Sequence, residues 1–242
     1  HIPRSGGTTI EKILWRSEFN SDFSFDMNDE KHLLQGFINK YRNKYQSDGL
    51  QHLTINNIEK IYPLESKQFF KFSFIRNPFS RIASAYCEIM QYRKDLRDFL
   101  VIYKDSSFKK FLQLIKKNHH THWMPMSKFF SKKNMSFIGK FESYEDDLDN
   151  LGKLINIKFS KKNSSESGNF SQEANYLAFY EDKENIQLVS EIYQEDLNQF
   201  GYDFNNFIDF ETNDKKIKSL KPNIKLADKE IKLTRFVKRY IK

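Results

Sequence analysis

The stretch FFKFSFIRNPFSRIASAYCEIM, residues 69–90, constrains the fold more than any other part of the chain. Phe70, Phe72 and Phe74 alternate with Lys71 and Ser73, the period-two pattern of a strand. Asn77-Pro78 then ends it, because proline cannot donate to a sheet ladder and suits the first position of a helix, with asparagine as its N-cap. Ile82, Tyr86 and Ile89, joined by Ala83, Ala85 and Met90, mark one helical face. A strand that turns at once into a helix is half of a parallel βα unit. The rest of the chain continues the alternation. TTIEKILWRS (8–17) reads as loop into helix, FKKFLQLIKK (108–117) and EDDLDNLGKLI (145–155) as amphipathic helices, and MSFIGKFE (135–142) as a strand. One long helix is expected from Asp182 to Phe200, with Ile186, Val189, Tyr193, Leu197 and Phe200 inward and Gly201 as its C′ residue. Residues 17–35 are polar, with a short helix expected near EKHLLQGF. The predicted fold class is α/β: a three-layer domain whose mostly parallel central sheet is flanked by helices.

In such sheets ligands sit at the carboxyl ends of strands, where the opening string HIPRSGGTT would lie, fed by a strand expected to precede His1. A glycine-rich turn at a helix N-terminus presents unpaired N–H groups and the positive end of the helix dipole. Arg4 adds a fixed cation; Thr8 and Thr9 add hydroxyls. The spacing is not that of an ATP-binding loop, which needs a lysine directly before the Ser/Thr; here Gly7 precedes Thr8 and the nearest lysine downstream is Lys12. IRNPFSRIASAY (75–86) places Arg76 at a strand end and Ser84 two helical turns on, a second phosphate site expected to be separate from the first. QHLTINNIEKI (51–61) sets His52 just ahead of an expected Thr54 N-cap.

These motifs, in this order, resemble the sulfotransferases that use 3′-phosphoadenosine 5′-phosphosulfate (PAPS), in particular the carbohydrate branch that includes the heparan sulfate 2-O-sulfotransferases. The similarity runs on through HHTHWMP (119–125), FIGKFESYEDDL (137–148) and LVSEIYQEDLNQFGYDF (188–204). The resemblance implies a P-loop-like fold and transfer of a sulfuryl group from PAPS to a hydroxyl of an oligo- or polysaccharide. It implies that backbone amides of Ser5, Gly6, Gly7, Thr8 and Thr9 hold the 5′-phosphosulfate, and that Arg4, where many relatives carry lysine, neutralises the leaving group. Arg76 and Ser84 would hold the 3′-phosphate, and Lys161 and Lys162 are candidates for further nucleotide contacts. His52 matches a histidine that serves some members as catalytic base, and its ordinary pKa near 6.5 suits that task. No metal is expected, since the moving group carries a single negative charge and no ordered carboxylate cluster lies near the loop.

Other residues allow simpler readings. His119, His120 and His122 lack the carboxylate or cysteine partners of a metal site; His122 is instead read as lining an acceptor pocket, with Trp123 stacking on a sugar. Arg81 reads as a helix-surface residue or a structural ion pair, and Glu142 as a family position or a salt-bridge partner. Two rival functions stay open: a nucleotide phosphotransferase with a drifted phosphate loop, and a non-catalytic module that binds nucleotide or glycan.

The 242 residues suffice for one sizeable core, read as a catalytic domain over 1–205 and a basic tail over 206–242. The formal charge of +8 belongs to that tail, where Lys215–Lys242 holds eleven basic residues against two acids. A near-neutral body argues against a nucleic-acid partner. In the tail Leu233, Phe236, Val237, Tyr240 and Ile241 form a basic amphipathic pattern, suited to docking on the body, to an anionic membrane surface or to a polyanionic glycan. One cysteine, Cys87, excludes an intrachain disulfide. A cytoplasmic enzyme is expected, a Golgi-type enzyme separated from its anchor being the alternative. In the latter setting the N-x-Ser strings at Asn134, Asn163 and Asn169 would matter.

Overall fold

A computed structural model describes residues 1–19, 52–157 and 175–218. The short helix expected near residue 30, Lys161, Lys162, Asn163, Asn169 and the apolar stripe of the tail lie outside the described residues.

The described chain is a mixed α/β fold, mostly helical, around a small parallel sheet. Strand β1 (Phe72–Ile75) pairs in parallel with β2 (Phe137–Lys140), in register from Phe72 with Phe137 to Ile75 with Lys140. Between the strands run α3 (Pro78–Gln91), α4 (Lys94–Leu100) and α5 (Phe108–Ile115). Before them come α1 (Gly7–Phe19) and α2 (Ile55–Ile61); after them come α6 (Tyr144–Ile155), α7 (Lys183–Ile192), α8 (Gln194–Phe200) and α9 (Phe204–Lys218). None of the described helices is long and apolar enough to cross a membrane.

Successive strand residues point to opposite faces, and both faces of β1 are covered. Phe74 packs with Ile10 and Ile13 of α1 and with Leu148 and Leu151 of α6. Ile75 packs on the other side with Ile2, Met126, Phe129, Phe130 and Phe200. The flanked parallel sheet agrees with the expected layering. The largest core lies beside it, where Phe79, Ile82 and Ile89 of α3 meet Phe111 and Leu112 of α5, Val189 of α7 and Phe207 of α9. Phe207 is wholly buried there.

Local chemistry sets the helix starts. Asn77 Oδ1 accepts the Phe79 amide at 3.0 Å with Pro78 at the first helical position, and Thr54 Oγ1 accepts the Asn57 amide at 3.2 Å. The expected single helix from 182 to 200 is instead two, broken at Tyr193, whose ψ of 22° leaves the helical region. The break accompanies a buried role: the Tyr193 hydroxyl donates to the Trp123 carbonyl at 2.7 Å and its ring lies 5.6 Å from the Arg81 guanidinium.

Arg81 is not on the helix surface. It is buried, its Nε donates to the Pro3 carbonyl at 3.3 Å, and its Nη2 donates to that of Met124 at 2.6 Å. Nη1 lies 3.9 Å from Asp196 Oδ2. Asp196 also accepts the amides of Met126 (2.7 Å) and Ser127 (2.8 Å). Burial raises the Asp196 pKa, against the pull of Arg81 and of those amides. One ion pair thus fastens the opening loop, residues 124–127 and α8 to α3. Removing one member of such a pair strands a buried charge, so Asp196→Ala should lower stability by about 3–5 kcal/mol, read from urea unfolding midpoints.

Candidate functional site

The opening loop is held by its carbonyl groups. Arg81 Nε donates to Pro3 O, Arg76 Nη1 donates to Arg4 O at 3.2 Å, and the Tyr144 hydroxyl donates to Gly6 O at 2.7 Å. With those acceptors engaged by the body, the groups left to a ligand are amides, including the first N–H groups of α1, which have no intrahelical partner. Two residues of the loop are left-handed, Arg4 (φ 65°) and Gly6 (φ 84°); the non-glycine case costs about 1–3 kcal/mol, and such strain is concentrated at functional sites. Gly6 and Gly7 are packing requirements too. A Cβ on Gly6 would lie 2.5 Å from the Tyr144 ring, and one on Gly7 2.1 Å from the ring of His1. Thr8 is exposed in the first turn of α1 and Thr9 is buried. The Ser5 hydroxyl is buried with no hydrogen-bond partner among the described residues.

Residues assigned to the two expected phosphate sites touch one another. Arg4 reaches across to α3, where its Nε and Nη2 donate to Ser84 Oγ at 2.9 and 2.8 Å and its Nη1 lies 3.3 Å from Glu88 Oε2. Arg76 is 3% exposed; its Nε donates to Ser80 Oγ at 2.8 Å and its guanidinium sits 4.1 Å from the centre of the Phe141 ring. Burial lowers the Arg76 pKa from its ordinary value and Arg4 adds to this, while Tyr176 and the carboxylates of Glu142 and Glu211 oppose it. Glu142 is part of the scaffold: it accepts the Asn77 amide at 2.7 Å and the Tyr202 hydroxyl at 2.8 Å. Arg4, Arg76 and Ser84 form one linked group of donors, a set that fits phosphate and sulfate oxygens.

His52 joins the same loop from the other side. Its Nδ1 lies 3.0 Å from the His1 carbonyl. A carbonyl only accepts, so Nδ1 carries the proton and Nε2 keeps its lone pair, the tautomer a base requires. Burial, then the neighbouring His1 and His122, and more weakly Arg93, hold the His52 pKa well below 6.5, against the bond to the His1 carbonyl. The His52 ring makes edge contacts with both, at 4.6 Å to His1 and 5.3 Å to His122. His1 Nδ1 in turn lies 2.9 Å from Glu11 of α1.

His122 therefore stands beside His52, half of what the acceptor-pocket reading requires. Trp123 is 2% exposed in the main core, its indole N–H donating to the Asn118 carbonyl at 2.6 Å. A buried ring with its polar atom engaged presents no open face for a sugar to stack on. His120 sits against Trp123 and His122.

Sequence reasoning missed four members of this neighbourhood. Glu88 had a signal, since it lies one helical turn beyond Ser84 on the same face. His1 heads the quoted loop string, yet its roles, a ring beside His52 and a carbonyl that accepts from it, come from the backbone turn. Tyr144 and Arg93 had no signal, because only the tertiary fold brings them to the loop.

The sequence model described as the sulfotransferase family matches residues 1–203. No curated protein and no solved structure matches the chain. The match spans the loop, Arg76, Arg81 and Ser84, the histidine pair and the core that holds them, and the chain belongs to the sulfotransferase family.

Proposed function

We propose that this chain transfers a sulfuryl group from PAPS to a hydroxyl of a carbohydrate acceptor, with His52 as general base. One observation carries the reading: the His1 carbonyl of the anion-binding loop fixes the His52 tautomer, which ties base and loop into one unit. When bound, PAPS supplies the activated sulfuryl group. Amides of Ser5–Thr9 and the Arg4 guanidinium hold the 5′ end and meet the charge left on the phosphate, while Arg76 and Ser84 hold the 3′-phosphate. His52 Nε2 takes the acceptor's hydroxyl proton. Arg4 spans Ser84 and Glu88, which sets the cation assigned to the 5′ end beside the serine assigned to the 3′-phosphate.

The donor assignment is tested by calorimetric titration with adenosine 3′,5′-bisphosphate and, in parallel, ATP. The wild type should prefer the bisphosphate, and Ser84→Ala should weaken it about tenfold or more, the scale of a hydrogen bond to a charged group. Preference for ATP would replace this reading with phosphotransfer.

The base assignment predicts that His52→Gln keeps bisphosphate affinity and loses about 10²–10⁴-fold in kcat. Its pH dependence follows from burial. Folded His52 stays neutral where an ordinary histidine is half protonated, so the acid limb of kcat/KM should fall below pH 6.5. The unfolded chain binds the extra proton, so this residue's contribution to stability should also be lost as pH falls beneath 6.5. An acid limb above that value would contradict the assignment.

A further inference from the structure

The histidines and the arginine beside His52 form a chain of contacts that the proposed reaction does not itself require. Arg93, at the start of α4, spends two of its donors on Asp95: Nε to Oδ1 at 3.0 Å and Nη2 to Oδ2 at 2.7 Å. Its Nη1 lies 2.8 Å from His122 Nε2. A guanidinium only donates, so His122 Nε2 accepts and the His122 proton sits on Nδ1. That nitrogen is 3.3 Å from His120 Nδ1, which also receives the His122 backbone amide at 3.3 Å. The contacts fix the His122 ring in plane and tautomer, and its neighbour along the row is the ring of His52.

We propose that Arg93 and His122 are positioning residues for His52: Arg93, braced by Asp95, locks His122, and the locked ring holds the His52 imidazole with Nδ1 on the His1 carbonyl and Nε2 available to the acceptor. The claim deepens the reading of His52 as base and rests on it. The titratable and charged groups that face His52 come from two sides. His1, with Glu11 behind it, stands on the loop and α1. His122, with Arg93, Asp95 and His120 behind it, stands on the segment after α5 and on α4. Arg93 has two effects. Its N–H occupies His122 Nε2, so a proton gained by His52 has no basic site to pass to on that nitrogen. Its charge opposes protonation of His52, in the same direction as burial.

The test is a proton and nitrogen NMR titration of the histidine rings in wild type, Arg93→Met, Arg93→Lys and His122→Phe, on the whole chain. In the wild type His52 should show the Nδ1–H tautomer and a midpoint below 6.5. Arg93→Met should raise the midpoint and mix the two tautomers, and Arg93→Lys, which keeps a charged donor, should largely restore both. His122→Phe keeps a ring at the contact but removes the link to Arg93 that locks it, so it should raise the midpoint and mix the tautomers, as Arg93→Met does. In turnover, the acid limb of kcat/KM should follow the same order, with the KM for PAPS unchanged. A His52 midpoint and tautomer identical in wild type and Arg93→Met would overturn the proposal and leave Arg93 as scaffolding. Should Arg93→Met fail to fold, His122→Phe alone decides, an unchanged midpoint counting against it. The ring titration needs no substrate, so it judges the positioning claim separately from the base assignment, which falls if His52→Gln keeps full turnover.

Discussion

Two guanidinium groups holding two adjacent carbonyls, Arg76 on Arg4 and Arg81 on Pro3, are the constraint from which the site follows. A loop with free carbonyls would repel an anion; here the carbonyls are taken and the amides remain. Both arginines leave the β1–α3 unit, one from the strand end and one from the first turn of the helix. The unit that specifies the fold therefore also shapes the loop. The charges have a cost, offset locally: Arg81 by Asp196, Arg76 by the Phe141 face and the Ser80 hydroxyl.

The loop then organises what lies on either side. Towards α3, Arg4 in its left-handed conformation bridges to Ser84 and Glu88, which brings the opening loop and α3 together at one cation. Towards α2, the His1 carbonyl orients His52. Burial favours the neutral form of that histidine, and the row of rings out to Arg93 limits how it can turn. The glycines fit between: Tyr144 and His1 press their rings on Gly6 and Gly7, so the loop is packed as well as bonded.

Much of this was legible in the sequence, for identifiable reasons. The strand–turn–helix over 69–90 was clear because alternation, an N-cap and a helix-starting proline agree. Thr54 and Gly201 were read correctly as helix ends from local chemistry alone. What failed depended on tertiary contact. The break at Tyr193 has no local cause in a helical pattern; it accompanies a hydroxyl that reaches Trp123. Trp123 read as a sugar platform because it follows a histidine cluster, and only packing shows the indole turned into the core. Arg81 read as a helix-surface residue or a structural ion pair; the ion pair is what forms, but its buried partner Asp196 lies more than a hundred positions away and had no signal in the sequence. The opening loop and the 75–86 segment were both singled out, but not the contact of Arg4 with Ser84, because no spacing rule places the side chain of an arginine with positive φ.

The most direct measurement is transfer of radiolabelled sulfur from PAPS to a panel of oligo- and polysaccharides by the wild-type chain, beside transfer of labelled phosphate from ATP. The account predicts sulfur label in a saccharide and no phosphate label. Phosphate label in place of sulfur, or label in no saccharide while a non-carbohydrate hydroxyl is sulfated, would contradict it.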